Sequence, residues 1–384
     1  MAHAFVLACT LFVQVGAQEA HIFYHLDYRS PAMEGEDWMR WNARTRPHWD
    51  HNVNHKHYQS KNVRADPPVH IHSAHYPLRG LYSCTDTRVL TRQMKEISSA
   101  GITGLIIVYD PLHVLSMFKK RTKERSRFVK RIADTAARFN MKVSFALQKY
   151  KQRTPLSVRE DIRDLVSWCQ QSWQRFPGPV SKPIIYIYDA HHHPAAEWAK
   201  VLKLDGVPKD PSIRGTRDDA VVLGHYVAHD DRQYLLDGGF DGFYTYFASD
   251  GVTEGADTRE WKQMSDWAHQ HGLHFVPTIG PGYDDTKLRP WNRKALQQRD
   301  KGAYYSGMFD KAVGSAPLLV TIASYNDWDH GTQIEPAADM HNLPRGINLP
   351  YKQYLAYPDY NPHFYLDLTK KLVSKMQQKG RDEL

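Results

Sequence analysis

Short runs of apolar, often β-branched residues alternate along most of the chain with segments whose apolar positions recur every three to four residues. The short runs predict buried strands and the periodic segments predict helices. Strands are expected at 22–28, 102–109, 142–148, 183–189, 220–227, 239–246, 274–280 and in the run that starts at 317–320. Helices are expected at 89–100, 125–140, 157–176, 195–202, 230–236, 257–271, 304–313 and 362–378.

This alternation defines the expected fold class. Strands that alternate with helices indicate βαβ units and a parallel sheet. Eight such units favour an α/β fold of the TIM type, a (β/α)8 barrel, over an open doubly wound sheet. We expect a single domain over residues 21–378, with a long loop rich in Trp, His and Pro, from about Arg29 to Gly80, folded over its body after the first strand.

The two ends of the chain resemble targeting signals. Ala4 to Val15 is an uncharged apolar run, and with Gly16 and Ala17 it resembles a secretory signal peptide over residues 1–17. The tail, 379–384, ends in Arg381-Asp382-Glu383-Leu384, similar to the retrieval signal of the endoplasmic reticulum. We therefore expect a location in the lumen of the endoplasmic reticulum, with the Golgi as an alternative, and a retrieval receptor as a partner of Arg381 to Leu384.

The thiols and the charge balance add little to this picture. Cys84 and Cys169 would remain after cleavage of the leader, and in an oxidising lumen they could pair or stay buried as free thiols.

The net charge of +8 and the pI of about 9.1 would suit nucleic acid. However, the most basic stretch, 119–125, is interrupted and is typical of a solvated helix start. We expect no nucleic-acid partner and no membrane span, because no later segment is long and apolar enough.

The strongest candidate chemistry follows the last predicted strand. There the chain reads Asn326-Asp327-Trp328-Asp329-His330 directly after a buried apolar run. Enzymes built on parallel α/β barrels carry their catalytic groups at the carboxyl ends of the strands. Asp327, Asp329 and His330 are therefore candidates for acid, base or nucleophile, and Trp328 offers an apolar face to a sugar ring. An ordinary polar turn at a strand end is the alternative.

A barrel predicts further polar and aromatic residues at the other strand ends, and the sequence has them. They are Tyr24, His25, Asp27, Tyr28, Tyr109, Asp110, Gln148, Tyr150, Tyr188, Asp189, His225, Tyr226, Tyr244, Tyr246, Tyr283 and Asp284. The candidates for substrate binding among them are Tyr24, Tyr28, Tyr109, Gln148, Tyr188, Asp189, Tyr244, Tyr246 and Tyr283. Tyrosines with a few carboxylates are typical of clefts that bind sugars, and the chain has 22 Tyr and 10 Trp. Neither His191-His192-His193 nor His70 and His72 has zinc-motif spacing, and no Gly-x-Ser-x-Gly elbow occurs, so a metal site and a serine hydrolase are disfavoured.

Four motifs carry a resemblance that covers nearly all of the chain. They are Asp66-Pro67-Pro68 with Tyr76-Pro77, the stretch 239–248, the stretch 280–286 with Arg289-Pro290-Trp291-Asn292, and Ser324 to Trp328 with Gly331 to Glu335. On these motifs the chain resembles the glycoprotein endo-α-1,2-mannosidases, glycoside hydrolase family 99. The resemblance implies a (β/α)8 barrel and retaining cleavage within glucosylated high-mannose N-glycans of the secretory pathway, without a metal or cofactor. It also implies substrate binding by Arg289, Trp291, Asn326, Trp328 and Glu335.

The chain departs from the family at the residues that carry the chemistry. The family pattern is Asn-Glu-Trp-His-Glu-Gly, where the first Glu is the base that assists the substrate's own 2-hydroxyl and the second is the acid/base on the leaving oxygen. Asp327 and His330 stand at these two positions, and Gln148 replaces a third family Glu. Since glycoside hydrolysis needs two carboxyl groups at a set separation, two hypotheses stay open. The chain is either an active hydrolase, with Asp327 as base and His330 or Asp329 as acid, or a catalytically impaired relative that binds oligosaccharides in the endoplasmic reticulum.

Overall fold

The structure is a computed structural model that describes residues 19–33, 35–48, 50, 63–119, 121–169, 172–177, 181–204, 211–339 and 354–382. For residues 381 and 382 it describes the backbone alone. The predicted leader and the end of the tail lie outside these residues, so the location in the endoplasmic reticulum and the retrieval receptor stay predictions. Within the described part of the chain, no helix is long and apolar enough to cross a membrane.

The described residues form one sheet of parallel strands surrounded by helices. The strands are β1 (Glu19–His25), β2 (Gly104–Tyr109), β3 (Lys142–Leu147), β4 (Ile184–Ile187), β5 (Val221–His225), β6 (Gly242–Tyr244), β7 (His274–Val276), β8 (Thr278–Ile279) and β9 (Leu319–Ile322). The helices are α1 (Thr87–Ser99), α2 (Pro111–Met117), α3 (Thr122–Ala137), α4 (Pro155–Cys169), α5 (Ala195–Leu202), α6 (Asp231–Gly238), α7 (Trp261–Gln270), α8 (Ala303–Gly314) and α9 (Phe364–Asp382).

The strand order explains how the sheet becomes a nearly closed barrel. The order is β7-β6-β5-β4-β3-β2-β1-β9-β8, so the two strands at its ends, β7 and β8, are consecutive in the chain. Only Pro277 separates them, and because proline has no N–H it interrupts the ladder. β7 pairs with β6, and β8 pairs with β9. The single strand predicted at 274–280 therefore supplies both edge strands of the sheet and brings its two edges together. The predicted (β/α)8 barrel with one domain is confirmed.

Side chains alternate between two cores along each strand. The interior of the barrel is filled by a cluster that includes Phe23, Ile106, Tyr186 and Tyr244. A larger cluster between the strands and the helices includes Ile22 and the other outward side chains of the strands. Because both faces are buried, the strands read as continuous apolar runs, which is why their hydrophobicity alone located them.

One helix was not predicted from the sequence. Asp110 and Pro111 mark the end of β2 as expected, but they also begin α2. The Asp110 carboxylate accepts hydrogen bonds from the backbone N–H groups of Leu112 and His113, and Pro111 takes the first helical position. This pair therefore marks a helix start as well as a strand end. An aspartate at the N-cap pairs with free amides of the first turn, and a proline at the first helical position has no N–H that needs a partner.

The sequence left open whether the two cysteines form a disulfide or stay buried as free thiols, and the structure has the free thiols. Cys84 and Cys169 are both buried and both free thiols. Cys84 lies beneath the carboxyl end of β1, where its thiol contacts the carbonyl oxygen of His25. Cys169 lies at the end of α4, so the two residues stand on different elements of the barrel.

Candidate active site

A cavity of about 690 Å³ opens at the carboxyl ends of the strands. Nine of the predicted site residues line it, namely Gln148, Tyr188, Tyr246, Tyr283, Arg289, Trp291, Asp327, Asp329 and His330. The end of β9 and the loops after β1, β3, β4, β6 and β8 contribute to it. The cavity combines aromatic faces with carboxylates and guanidinium groups, which is the composition expected for a site that binds a sugar.

Asp327 lies at the floor of this cavity and is 3% exposed. One of its carboxylate oxygens accepts a hydrogen bond from Arg40, and His330 Nδ1 lies 2.9 Å from each oxygen. His25 Nε2 lies 3.3 Å from the second oxygen. Burial alone would raise the pKa of Asp327, but His25, His330 and Arg40 outweigh it and hold the pKa well below its usual range. Asp327 is therefore a buried, ionised carboxylate.

The contacts of His330 determine where its proton lies. Nδ1 faces the Asp327 carboxylate, which can only accept, and Nε2 lies 2.9 Å from Nη1 of Arg289. Because a guanidinium can only donate, Nε2 is the acceptor and the proton is on Nδ1. In this arrangement the imidazole has no proton directed at the cavity. His330 therefore orients Asp327 and does not fit the role of general acid.

Asp329 is the second carboxylate of the site and lies on the short 3₁₀ turn Trp328–His330. Its carboxylate accepts a hydrogen bond of 2.8 Å from Nε of Arg40. Burial raises the pKa of Asp329 above its ordinary value, and Arg40 offsets this only in part. Two neighbouring carboxyl groups whose pKa values shift in opposite directions form the arrangement from which acid and base roles arise.

Gly331 fixes the turn that carries these residues. It has a φ of +63°, which favours glycine, and a Cβ there would lie 2.8 Å from the carbonyl oxygen of Asp284. The N–H of Asp284 in turn donates to the carbonyl oxygen of His330. The loop that presents Tyr283 and Arg289 is thereby held directly against the turn that carries Asp329 and His330.

Eight predicted site residues do not line the cavity. They are Tyr24, Tyr28, Tyr109, Asp189, Tyr244, Asn326, Trp328 and Glu335, and the prediction that they contact the substrate directly is corrected accordingly. Side chains on a strand alternate between faces, so Tyr24 and Tyr109 point outward to the helices. Tyr244 points inward but lies deeper in the barrel interior, where it contacts Tyr186.

Asp189 and Tyr28 lie beside and beneath the cavity. Asp189 has a φ of +49°, and its carboxylate lies 3.6 Å from Nδ1 of His225 and 3.5 Å from Nε2 of His192. The hydroxyl of Tyr28 accepts a hydrogen bond from the backbone N–H of Trp328, and its ring lies under Arg40. Both residues support groups of the site without facing its open space.

Trp328 and Glu335 belong to a buried network beneath the turn. Glu335 accepts hydrogen bonds of 2.7–2.8 Å from Tyr82, Gln93 and the indole N–H of Trp328. Tyr24 extends this network by donating to Gln93. Burial raises the pKa of Glu335 to about 7 even though three donors face it. These residues hold the turn from below, and Trp328 does not offer its ring to a sugar.

Asn326 joins the end of β9 to the end of β1. Its amide nitrogen donates to the carbonyl oxygen of His25 at 2.8 Å, and its amide oxygen accepts from the N–H of His25 at 2.7 Å. Both backbone groups of His25 are thus satisfied by one side chain. Asn326 positions His25 at the cavity floor and does not itself contact the cavity.

We expect Asn326→Ala to lower the free energy of unfolding by about 3 kcal/mol, because it leaves the buried N–H of His25 unpaired and its C=O with the weak Cys84 thiol donor alone. Urea unfolding followed by tryptophan fluorescence would measure the loss. Gln298→Ala, at an exposed position, is the matched control and should change the stability by less than about 0.5 kcal/mol. Equal stability of the two variants would contradict the role given to Asn326.

Four polar residues of the cavity were not named from the sequence. They are Arg40, Arg46, His113 and Lys149. His25, Asp27 and Asp110 also line the cavity, and they were indicated by their positions at the ends of predicted strands. Arg40 and Arg46 lie in the long loop after β1, which has no period from which their direction could be predicted.

Metal ligation is a separate question for so many ionisable groups. Among the residues that the structure describes, no group of three or more His, Cys, Asp or Glu side chains is arranged to hold a metal ion. The acidic side chains of the site instead face arginine and histidine. The local charges are balanced within the protein.

Comparison with known proteins places this barrel and its site in a family. The family model described as Glycosyl hydrolase family 99 matches residues 17–378. The chain belongs to glycosyl hydrolase family 99. A "Glycoprotein endo-alpha-1,2-mannosidase-like protein" of Danio rerio is 35% identical over 357 residues, which cover 92% of this chain and 77% of that protein. A "Glycoprotein endo-alpha-1,2-mannosidase" of Xenopus laevis is 30% identical over 362 residues, covering 93% and 77%.

A solved structure of the same family agrees with the fold. The "GH99 endo-alpha-mannosidase from Bacteroides thetaiotaomicron" superposes with a TM-score of 0.82 at 27% sequence identity, and the match covers 94% of this chain and 98% of that one. Family 99 membership therefore extends over the whole barrel, including the turn at Asp327 to Gly331.

Proposed function

We propose that this family 99 protein is a retaining endo-α-1,2-mannosidase-like glycosidase that acts on glucosylated high-mannose N-glycans. The observation that carries the proposal is the pair of buried carboxyl groups, Asp327 and Asp329, at the carboxyl end of β9 in one cavity. Opposite pKa shifts suit one of them to accept a proton and the other to donate one. The names of the similar mannosidases support the choice of substrate.

The roles follow from the ionisation of the two groups. Asp327 is the base that takes the proton of the substrate's 2-hydroxyl. The 2-oxygen then assists the departure of the leaving group from the anomeric carbon. Asp329 is the acid that gives its proton to the leaving glycosidic oxygen. In the second half of the reaction, water adds at the anomeric carbon while the proton transfers run in reverse. His330 takes neither role, because its Nε2 accepts from Arg289.

The rest of the cavity supports recognition of a sugar chain. Tyr188, Tyr246 and Tyr283 supply ring faces and hydroxyl groups at the edge of the barrel. Trp291 is held at the rim by a hydrogen bond from its indole N–H to the carbonyl oxygen of Arg46. An aromatic residue fixed at the entrance can stack on a sugar next to the one that is cleaved.

A turnover assay tests the proposal. We expect the chain to release a glucose-capped fragment from a glucosylated high-mannose glycan, with the α-anomer formed first. The rate should fall as rising pH removes the proton of Asp329, whose raised pKa keeps the donor form available at higher pH than an ordinary aspartate. Mass spectrometry of the products and proton NMR of the fresh anomer would measure this. Inversion at the anomeric carbon would contradict the mechanism.

A second candidate function is binding without turnover, and one observation favours it. The oxygens of Asp327 already face Arg40, His330 and His25, and the side chain is almost fully buried. A base needs a free lone pair within reach of the proton that it removes. A protein in which these contacts keep Asp327 from reaching the substrate would still bind the glycan through the tyrosines and Trp291. Saturable binding of the glycan with no cleavage at any pH would favour this candidate.

A further inference from the structure

Arg40 is the cation at the centre of the site and comes from the long loop after β1. Its φ is +63°, which is uncommon for a residue with a side chain. The next residue, Trp41, anchors this conformation, because its ring packs 4.1 Å from that of Tyr28 and its indole N–H donates to the carbonyl oxygen of Tyr82. The backbone thus directs the Arg40 side chain down into the cavity floor.

Each nitrogen of the guanidinium group has a partner. Nη1 lies 2.8 Å from Oδ1 of Asp27 and 2.7 Å from Nδ1 of His25. Nη2 donates to Asp327, and Nε donates to Asp329 at 2.8 Å. Cζ of the group lies over the Tyr28 ring, 4.7 Å from its centroid. A planar, rigid fork of this kind fixes the relative positions of the groups that it contacts.

We propose that Arg40 is the positioning residue of the catalytic pair, because its one planar group holds the carboxyl groups of Asp327 and Asp329 in fixed positions and supplies a single positive charge to both, so that one proton stays on the pair. This inference rests on the function proposed above. Arg40 would act through the two aspartates and would not need to touch the substrate. Neither the family match nor the names of the similar proteins gives a role to this residue.

The balance of charge around Arg40 supports this assignment. One guanidinium faces three carboxyl groups, Asp27, Asp327 and Asp329, and full ionisation would leave two buried negative charges uncompensated. Such a cluster lowers its free energy by retaining a proton. Asp327 has two histidines beside it in addition to Arg40, whereas among the described residues the hydrogen bond to Asp329 comes from Arg40. The proton is therefore retained on Asp329.

Other charged groups act on the pair from neighbouring elements. Arg46 from the long loop acts on both Asp327 and Asp329 at longer range, and Arg289 acts on Asp327. His113 of α2 lies 4.0 Å from the second oxygen of Asp27. Asp27 has a lowered pKa because Arg40, His25 and His113 together outweigh its burial. None of these neighbours connects the two aspartates as the Arg40 fork does.

Arg40 also sets the tautomer of His25. Because Nη1 of Arg40 can only donate, Nδ1 of His25 is the acceptor and the ring proton is on Nε2. Nε2 is the atom that lies 3.3 Å from Asp327. Burial lowers the pKa of His25 to about 4 and Arg40 adds to this, so the ring stays neutral with its one proton on the nitrogen nearer the base.

The experiment compares the full chain with Arg40→Met, Arg40→Lys and the matched control Arg44→Lys, an exposed arginine of the same segment. Carboxyl resonances of protein labelled with [γ-¹³C]aspartate would follow Asp327 and Asp329, assigned by the Asn variants, as a function of pH. In the natural chain and the control, we expect Asp329 to titrate at higher pH than Asp327. In Arg40→Met, the midpoints of both aspartates should rise, because the cation that lowers both pKa values is lost.

Kinetics supply a second readout that a purely structural role would not produce. We expect kcat to fall by about 100-fold in Arg40→Met with KM within about threefold, and Arg40→Lys should regain only part of the loss, because one ammonium group cannot span both aspartates. If Arg40→Met does not fold, Arg40→Lys carries the test, with the nitrogen chemical shifts of His25 as the report on its tautomer.

Two outcomes would overturn the inference. The first is a folded Arg40→Met protein in which both aspartates keep their natural titration midpoints. The second is Arg40→Lys with the natural titrations, the natural His25 tautomer and the natural kcat. The titrations need no turnover. A failure of the proposed function would therefore appear in the cleavage assay, and a failure of this inference would appear in the titrations.

Discussion

Asp327→Asn should reduce kcat on a glucosylated high-mannose glycan by about three orders of magnitude while the affinity for the glycan stays within about threefold. The carboxylate acts on a proton that moves only in the transition state, so its loss affects turnover more than binding. The side chain is 3% exposed and offers the substrate almost no contact area, which is a second reason to expect little change in affinity.

The substitution should leave the fold intact. Asparagine has nearly the same shape, and its amide oxygen can still accept from Arg40, while Asp27 continues to balance the guanidinium charge. Thermal unfolding would check this directly. Asp310→Asn, the same chemical change at an exposed site on α8, is the matched control and should alter neither kcat nor affinity.

The alternatives make different predictions for this experiment. If the natural chain only binds glycan, neither it nor Asp327→Asn will cleave, and both will bind alike. If the natural chain cleaves and both Asp327→Asn and His330→Ala retain its rate, the base lies elsewhere in the cavity. Loss of cleavage in Asp327→Asn with near-natural affinity would exclude the binding-only hypothesis.

The fold could be predicted because hydrophobicity along a parallel barrel is nearly continuous in each strand. All eight expected strands lie where the apolar runs are, with ends shifted by a few residues. The division of 274–280 at Pro277 could not be seen, because it depends on which neighbour each half pairs with. Helix α2 was missed because Asp110 and Pro111 mark two boundaries at once.

The site could be predicted only in part, for reasons of geometry. The turn after β9 was identified because charged residues directly follow a buried strand. The strand-end tyrosines were less certain, since alternation directs Tyr24 outward and its neighbours Phe23 and His25 inward. A composition pattern does not indicate which residue of a strand end faces the cavity. The direction of the Arg40 side chain depends on tertiary packing of a loop without a period.

The sequence also left open which residue would act as the acid. The resemblance implies His330, because it would stand at the position of the family's second Glu. The structure gives a physical reason to prefer Asp329, because Arg289 faces Nε2 of His330 and burial raises the pKa of Asp329. Neither feature could be inferred from spacing along the chain, since both depend on tertiary packing around the turn.

Restoring the family pattern is the second substitution with a large expected effect. The combined change Asp327→Glu, Asp329→His and His330→Glu recreates Asn-Glu-Trp-His-Glu-Gly, and Gln148→Glu restores the third family carboxylate at the cavity wall. We expect the rebuilt chain to cleave the glycan about 100-fold faster than the natural one, because a shift of about 1 Å in a catalytic group can change the rate by that factor.

The reason lies in the reach of the base and in the contacts of the acid. Asp327 is held among Arg40, His25 and His330, and one further methylene group would carry its carboxylate beyond them toward the substrate. A Glu at position 330 would face Arg289 with an acceptor in place of an imidazole nitrogen. In the rebuilt chain, the buried Arg40 loses the carboxyl group of Asp329 as a partner and faces a histidine in its place. We therefore expect a lower melting temperature for the rebuilt chain.

A partial series separates the two effects. Asp329→His with His330→Glu, without the change at position 327, restores the acid but keeps the short base, and comparison with the full set isolates the contribution of the extra methylene. Initial rates on the same glycan would be compared for all variants. If the natural chain is inactive and only the full set cleaves, the short, enclosed Asp327 is what impairs it. If the natural chain cleaves and no variant exceeds its rate, the Asp327 and Asp329 pair on Arg40 is already a competent replacement, and the geometry of the family glutamates does not limit this protein.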